Sequence, residues 1–175
     1  DRLGSNEDVK LLENLLKRAQ INYEVKTDCT RKEMMDELEK FAKNEDHKLG
    51  RMAFIYILSH GDRTHIGTYG GGKVNLEEEI YPFFYHDKCP NLKGKPKNFV
   101  IVACRGGKEQ ERDSTQTDDA DSPFGKDESI PNVSDISIVY STIPDYTSYR
   151  DPESGTWLIK SYAEVLGALN EFKND

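Results

Sequence analysis

The sequence contains no apolar run of the roughly 20 residues that a membrane-spanning helix requires. It also lacks an excess of positive charge, because its 175 residues include 24 lysines and arginines against 32 aspartates and glutamates. The formal charge of −8 argues against a general nucleic-acid-binding protein, which needs a basic face for the phosphate backbone. Residues 1–4 do not resemble a signal sequence. We therefore expect neither nucleic acid nor a membrane as a partner.

Cysteine is also scarce, with only Cys29, Cys89 and Cys104 in the sequence. An odd number at wide spacings does not suit a disulfide framework, and no pair has the close spacing of a metal-binding knuckle. We therefore expect three reduced thiols in a cytoplasmic protein, with no bound metal and no cofactor.

The spacing of apolar residues predicts a single domain, residues 1–175, in which strands alternate with helices. Thr30 and Glu33 form a capping-box pattern at the start of the second helix. Helical periodicity covers residues 9–19, 34–42 and 75–84, and a last helix begins at Trp157. A short strand is predicted at residues 21–27, and apolar runs predict strands at residues 52–58, 99–103 and 136–142. Continuous apolar runs are typical of strands buried on both faces, so we expect an α/β fold with a mainly parallel central sheet.

Two residues with catalytic potential, His60 and Cys104, occupy equivalent positions directly after buried strands, and glycine follows each closely. In open α/β sheets the carboxyl ends of the strands form the ligand crevice. If the two strands are neighbours, the imidazole and the thiol meet at that edge, where an imidazolium can activate a thiolate nucleophile. A lone cysteine is more often a small buried side chain, and a lone histidine is more often structural. Their matched placement favours catalysis.

Around these two residues the sequence resembles the caspase family, and the resemblance extends over nearly the whole chain. The matching segments are, in order, residues 2–8, 57–61, 89–97, 103–106, 140–150 and 155–157. The resemblance implies a three-layer sandwich with the sheet between helices. It also implies a large-subunit-like region, residues 1–118, a flexible acidic linker, residues 109–129, and the start of a small-subunit-like region, residues 130–175. The family carries further strands at both ends, so we expect the last region to be incomplete.

The resemblance implies a cysteine endopeptidase that cleaves after aspartate in apoptosis or related signalling. Cys104 would be the nucleophile, and His60 would protonate the leaving amine and later help to activate water. The backbone N–H groups of Gly61 and Cys104 would hold the oxyanion. Its substrates would be proteins or peptides with aspartate before the cleaved bond. The family also forms dimers, so a homodimer or a heterodimer with another caspase is expected.

The substrate pocket that the resemblance implies is basic. Arg2 and Arg150 would clamp the substrate aspartate through charge-assisted hydrogen bonds. Ser148 would pair with the peptide backbone as a short strand, and Tyr149 and Trp157 would wall the neighbouring subsites. Two solvated surface arginines and a tryptophan in the core are the plainer alternatives.

One position departs from the family pattern. Val102 stands where the family has a glutamine in the floor of the aspartate pocket. Loss of a hydrogen bond to a charged group costs roughly 1.5–3 kcal/mol, so we expect weakened activity. A catalytically impaired homologue, a decoy that binds and regulates an active caspase, is therefore the alternative function.

Maturation by cleavage is expected in the acidic linker, where the candidate sites are Asp118, Asp119 and Asp121. Asp121 is favoured because the small residue Ser122 follows it. A solvated acidic loop that is never processed is the alternative.

Overall fold

The computed structural model describes residues 4–108, 132–151 and 153–171. Helices of these residues are α1 (Ser5–Arg18), α2 (Arg31–Ala42) and α3 (Trp157–Glu171). Their strands are β1 (Ala53–Leu58), β2 (His65–Gly67), β3 (Lys73–Asn75), β4 (Lys97–Val102), β5 (Ile136–Tyr140), β6 (Arg150–Asp151) and β7 (Gly155–Thr156). Short helical turns cover Glu45–Lys48, Leu76–Ile80, Tyr81–Phe84 and Pro90–Leu92.

The central sheet has the order β1-β4-β5, and both pairings are parallel. Leu58 at the end of β1 is in register with Val102 at the end of β4. The two strands that precede His60 and Cys104 are therefore direct neighbours. The predicted α/β fold with a parallel sheet is confirmed.

Helices cover both faces of this sheet. Alternate residues of β1 and β4 face a large cluster with α2 and the turns after β3, and these residues are Ile55, Ile57, Phe99 and Ile101. The opposite face packs against α1 and α3, through Tyr56, Leu58, Val100 and Val102. This alternation follows from the two-residue repeat of a strand. The result is the predicted three-layer arrangement.

The capping box at the start of α2 is confirmed. The Thr30 side chain accepts a hydrogen bond from the backbone N–H of Glu33, whose carboxylate accepts one from the Thr30 backbone. These two contacts satisfy donors that the first turn of a helix leaves without partners. The local pattern in the sequence was sufficient here because both partners lie within one turn.

Two predicted elements differ from the structure. The predicted strand at residues 21–27 is wrong, because no strand of the described residues pairs with it and a strand needs a ladder partner. The predicted helix at residues 75–84 divides into two turns, Leu76–Ile80 and Tyr81–Phe84. Pro82 explains the break, since proline has no N–H to continue a helix and is tolerated only in a first turn.

All three cysteines are free thiols. Among the described residues, no helix is both long enough and apolar enough to cross a membrane. The same residues include no cluster of three or more His, Cys, Asp or Glu side chains that could hold a metal ion.

Candidate active site

A pocket lies at the carboxyl ends of β1 and β4, as expected for an open parallel sheet. It is lined by Ser59, His60, Val102, Cys104, Ser148, Tyr149 and Arg150. Six of these seven residues are ones that the sequence nominated. The structure therefore brings the imidazole, the thiol and one guanidinium into a single cleft.

The backbone around His60 is held on two sides. Ser59 donates its N–H to the Val102 carbonyl (3.1 Å), which continues the β1–β4 ladder. The His60 carbonyl accepts a hydrogen bond from the N–H of Gly67 in β2 (2.8 Å). The Ser59 hydroxyl donates to the carbonyl of the same glycine (2.6 Å). These contacts fix the direction in which the exposed His60 side chain leaves the sheet.

Gly61 packs directly against the loop that carries Cys104. A β-carbon at position 61 would lie 2.9 Å from the carbonyl oxygens of both Cys104 and His65. Real β-carbons do not approach backbone atoms so closely, so only glycine fits without displacement. The histidine loop and the cysteine loop are thus in main-chain contact.

The cysteine loop is hydrogen-bonded to the segment after β5. Arg105 donates its N–H to the Tyr146 carbonyl (2.9 Å), and Asp145 donates to the Arg105 carbonyl (2.9 Å). Lys108 donates to the Asp145 carbonyl (3.0 Å). A β-carbon at Gly106 would overlap the Asp145 backbone. The chain segments before and after the acidic linker therefore both contribute to the surroundings of Cys104.

The Arg105 side chain connects the cysteine loop to Tyr140 in β5. Its guanidinium carbon lies 3.9 Å from the centre of the Tyr140 ring, a cation–π geometry. The Tyr140 hydroxyl shares a hydrogen bond with the Tyr81 hydroxyl (2.9 Å). Burial, followed by this hydrogen bond, raises the pKa of Tyr81, which keeps its hydroxyl neutral. The sequence nominated Arg105 only as part of a motif, and nothing in the sequence paired it with either tyrosine.

One wall of the pocket is formed by the segment 148–150. The Ser148 hydroxyl shares a hydrogen bond with the Ser141 hydroxyl (2.6 Å), and Ser141 donates its N–H to the Ile101 carbonyl (3.0 Å). Arg150 lies in β6 and is in register with Thr156 in β7. Tyr149, 45% exposed, borders the pocket between them. The segment is therefore tied to the sheet at one end and to a small hairpin at the other.

Val102 forms part of the pocket floor and of the core at once. It is 1% exposed and packs with Leu12 and Ile159 on the α1–α3 side of the sheet. The same residue borders the pocket beside Cys104. The floor at this point is therefore apolar.

The remaining nominated residues include one that lies apart from the pocket lining and others that fall outside the described residues. Trp157 is 69% exposed at the start of α3, so it is not a core residue, and it does not border the pocket. Arg2 and the candidate processing residues Asp118, Asp119 and Asp121 lie outside the described residues. The catalytic and binding roles assigned to individual residues stay predictions.

Comparisons with known proteins identify the relatives that this chain resembles in sequence. A family model described as "Caspase domain" matches residues 1–174. Caspase drICE of Drosophila melanogaster is 34% identical over 172 residues, which cover 95% of this chain and 49% of that protein. Caspase-3 of Bos taurus is 36% identical over 169 residues (94% and 58%), and Caspase-14 of Homo sapiens is 30% identical over 172 residues (94% and 69%). The chain thus spans about half the length of the fly relative.

Proposed function

The chain belongs to the caspase family, and from this premise we propose that it is a cysteine endopeptidase domain that cleaves peptide bonds after aspartate. The observation that carries the proposal is the placement of His60, Cys104 and Arg150 around one pocket. Each residue alone has an ordinary structural explanation. Together they supply a nucleophile, a proton donor and a cation for the substrate side chain.

In the proposed reaction the Cys104 thiolate attacks the main-chain carbonyl carbon of the substrate aspartate. The carbonyl electrons move to oxygen, and backbone N–H groups of Gly61 and Cys104 stabilise the oxyanion. One such donor is typically worth about 3 kcal/mol. His60 then protonates the leaving amine, which breaks the peptide bond and leaves a thioester. Water hydrolyses the thioester with His60 as the base, and the acid product and free thiol are released.

The preference for aspartate is supported by the charges that border the pocket. Arg150 is a cation there, and none of the described residues that line the pocket is a carboxylate. A substrate carboxylate would form charge-assisted hydrogen bonds with this guanidinium. Arg2 would supply a second guanidinium from the other end of the chain. An arginine or lysine substrate would instead meet a like charge.

The test is hydrolysis of a fluorogenic peptide that ends in aspartate, with matched peptides that end in asparagine and lysine. We expect turnover of the aspartyl peptide alone, abolished in Cys104→Ala and strongly reduced in His60→Ala and Arg150→Ala. Surface variant Lys32→Ala is the control, because Lys32 contacts Asp36 on the outer face of α2. Equal turnover of the three peptides would contradict the proposed specificity.

A catalytically impaired homologue is the second candidate, and Val102 favours it. An apolar, buried floor offers the substrate carboxylate no hydrogen bond at this point. Such a protein would bind an active caspase and change its rate. Absence of turnover, together with a dose-dependent change in the activity of an added caspase, would select this candidate.

We also propose that the domain comprises the regions 1–118 and 130–175, joined by the linker 109–129 and processed after Asp121, in a cytoplasmic protein of apoptotic signalling. Contacts across the linker support it. His86 donates its N–H to the Asn132 carbonyl (3.0 Å), and Lys97 donates to the Asp135 carbonyl (2.8 Å). These hydrogen bonds would therefore still join the two regions after cleavage of the linker. Digestion with an active caspase tests the site, since Asp121→Ala should abolish a fragment that begins at Ser122.

A further inference from the structure

A buried carboxylate on α1 holds the strand β7. Asp8 is 0% exposed, although aspartate is rarely buried completely without a partner. Its Oδ1 accepts a hydrogen bond from the backbone N–H of Thr156, and its Oδ2 accepts one from the Thr156 hydroxyl, both at 2.6 Å. Thr156 is itself 1% exposed. The carboxylate thus binds one residue through both oxygens, from 148 positions away in the chain.

The surroundings of Asp8 are shaped for this contact. Gly155 has a φ of +82°, and a β-carbon there would overlap the Asp8 carboxylate oxygen. Glycine therefore supplies both the left-handed conformation and the space. Asp8 also lies in the first turn of α1, where the free N–H groups of a helix favour negative charge.

Thr156 connects this carboxylate to the pocket. In the β6–β7 hairpin it is in register with Arg150, which borders the pocket beside Cys104. Each strand of the hairpin has two residues. A two-stranded hairpin is at best marginally stable on its own, so its position depends on what holds it. Packing between α1 and β7 holds the hairpin in place, and Asp8 provides the hydrogen bonds of that packing.

We propose that Asp8 is a positioning residue for Arg150: by binding Thr156 it fixes the hairpin that presents the guanidinium to the substrate aspartate. This inference rests on the proposed function, because it assumes that Arg150 binds the substrate carboxylate. Asp8 does not touch the substrate. Its removal should therefore weaken recognition of aspartate while the reactivity of the Cys104 thiol stays the same.

The experiment compares two alkylation rates of Cys104 in the full chain. One reagent is a peptide chloromethyl ketone that ends in aspartate, from which the thiolate displaces chloride. The other is iodoacetamide, which loses iodide, is small and needs no arginine. In Asp8→Ala we expect the aspartyl rate to fall by roughly 10- to 100-fold, the range expected for a misplaced binding group, with the iodoacetamide rate unchanged. Asp8→Asn should restore most of the aspartyl rate, because its amide can accept from the Thr156 N–H and donate to the Thr156 hydroxyl.

Glu7→Ala is the matched control, since Glu7 lies in the same turn but bonds Lys10 at the surface. It should leave both rates unchanged. Anisotropy of Trp157, the single tryptophan and the neighbour of Thr156, should fall in Asp8→Ala as the hairpin loosens.

The outcomes separate the two proposals. If the wild-type chain reacts equally with aspartyl and alanyl ketones, the result contradicts the proposed function and also this inference. Selective wild-type labelling that persists in Asp8→Ala would overturn the positioning role alone. If Asp8→Ala does not fold, the aspartyl rate is measured in Thr156→Val instead. This variant loses the hydroxyl bond to Asp8 and keeps the shape of the threonine side chain. A lower aspartyl rate in that variant supports the inference, and an unchanged rate overturns it.

Discussion

Gly61 and Cys104 are in main-chain contact, so close that a β-carbon on residue 61 would lie 2.9 Å from the Cys104 carbonyl oxygen. This contact joins the two loops that carry the proposed acid and nucleophile. It also explains why glycine follows His60, because a larger residue at position 61 would hold the two loops apart. Catalysis that needs both groups depends on this approach.

Gly61→Ala should therefore lower kcat/KM by about 100-fold, since displacement of a reacting group by about 1 Å has effects of that size. Gly107→Ala is the control from the neighbouring loop, because a β-carbon there would meet no atom within 4 Å. Steady-state kinetics on the aspartyl peptide measures both. Equal activity in the two variants would show that the contact has no catalytic consequence.

The hydrogen bond between Tyr81 and Tyr140 should stabilise the floor under the cysteine loop. Tyr81→Phe or Tyr140→Phe leaves the partner hydroxyl without its bond, which should cost about 1–3 kcal/mol of unfolding free energy. The double variant should cost less than the sum, because no hydroxyl is then left behind. Urea unfolding of the three variants measures the coupling. Strict additivity would mean that the hydroxyls find other partners.

Tyr56 should make the fold sensitive to alkaline pH. Burial, followed by the nearby Tyr162, raises the pKa of Tyr56 from 10.0 to about 12. The unfolded chain therefore loses this proton first, so the stabilisation is complete below pH 10 and is lost as the pH rises towards about 12. Tyr56→Phe should lose less stability across that interval than the wild type, as measured by urea unfolding at a series of pH values. If the free energy of unfolding falls equally with pH in Tyr56→Phe and the wild type, Tyr56 is not the group responsible.

Val102→Gln should have two opposite effects. A glutamine amide in the pocket floor can donate a hydrogen bond to the substrate carboxylate, which should raise kcat/KM by roughly 10-fold. The same change places a polar group in the apolar cluster with Leu12 and Ile159, so the melting temperature should fall.

Val102→Met is the control for Val102→Gln, because it gives a long side chain without the amide. An equal gain of activity in both variants would contradict the hydrogen-bond explanation.

The local and periodic features of the molecule were predictable. The capping box of α2 needs only Thr30 and Glu33, and the apolar runs of β1 and β4 identify buried strands wherever they lie. Matching strand ends also placed His60 and Cys104 at one edge, because parallel neighbours end on the same side of a sheet. Residues 21–27 show the limit, since a segment becomes a strand only when another strand pairs with it.

The sequence by itself determined the fold class, the two candidate catalytic side chains and the family motifs, because these depend on residue type and on spacing within one element. Only the tertiary structure decided that Asp8 binds Thr156, that Arg105 stacks on Tyr140, and that Val102 serves both core and pocket. Those relationships join residues far apart in the chain. Whether they meet depends on how whole helices and strands pack, and no local pattern records that.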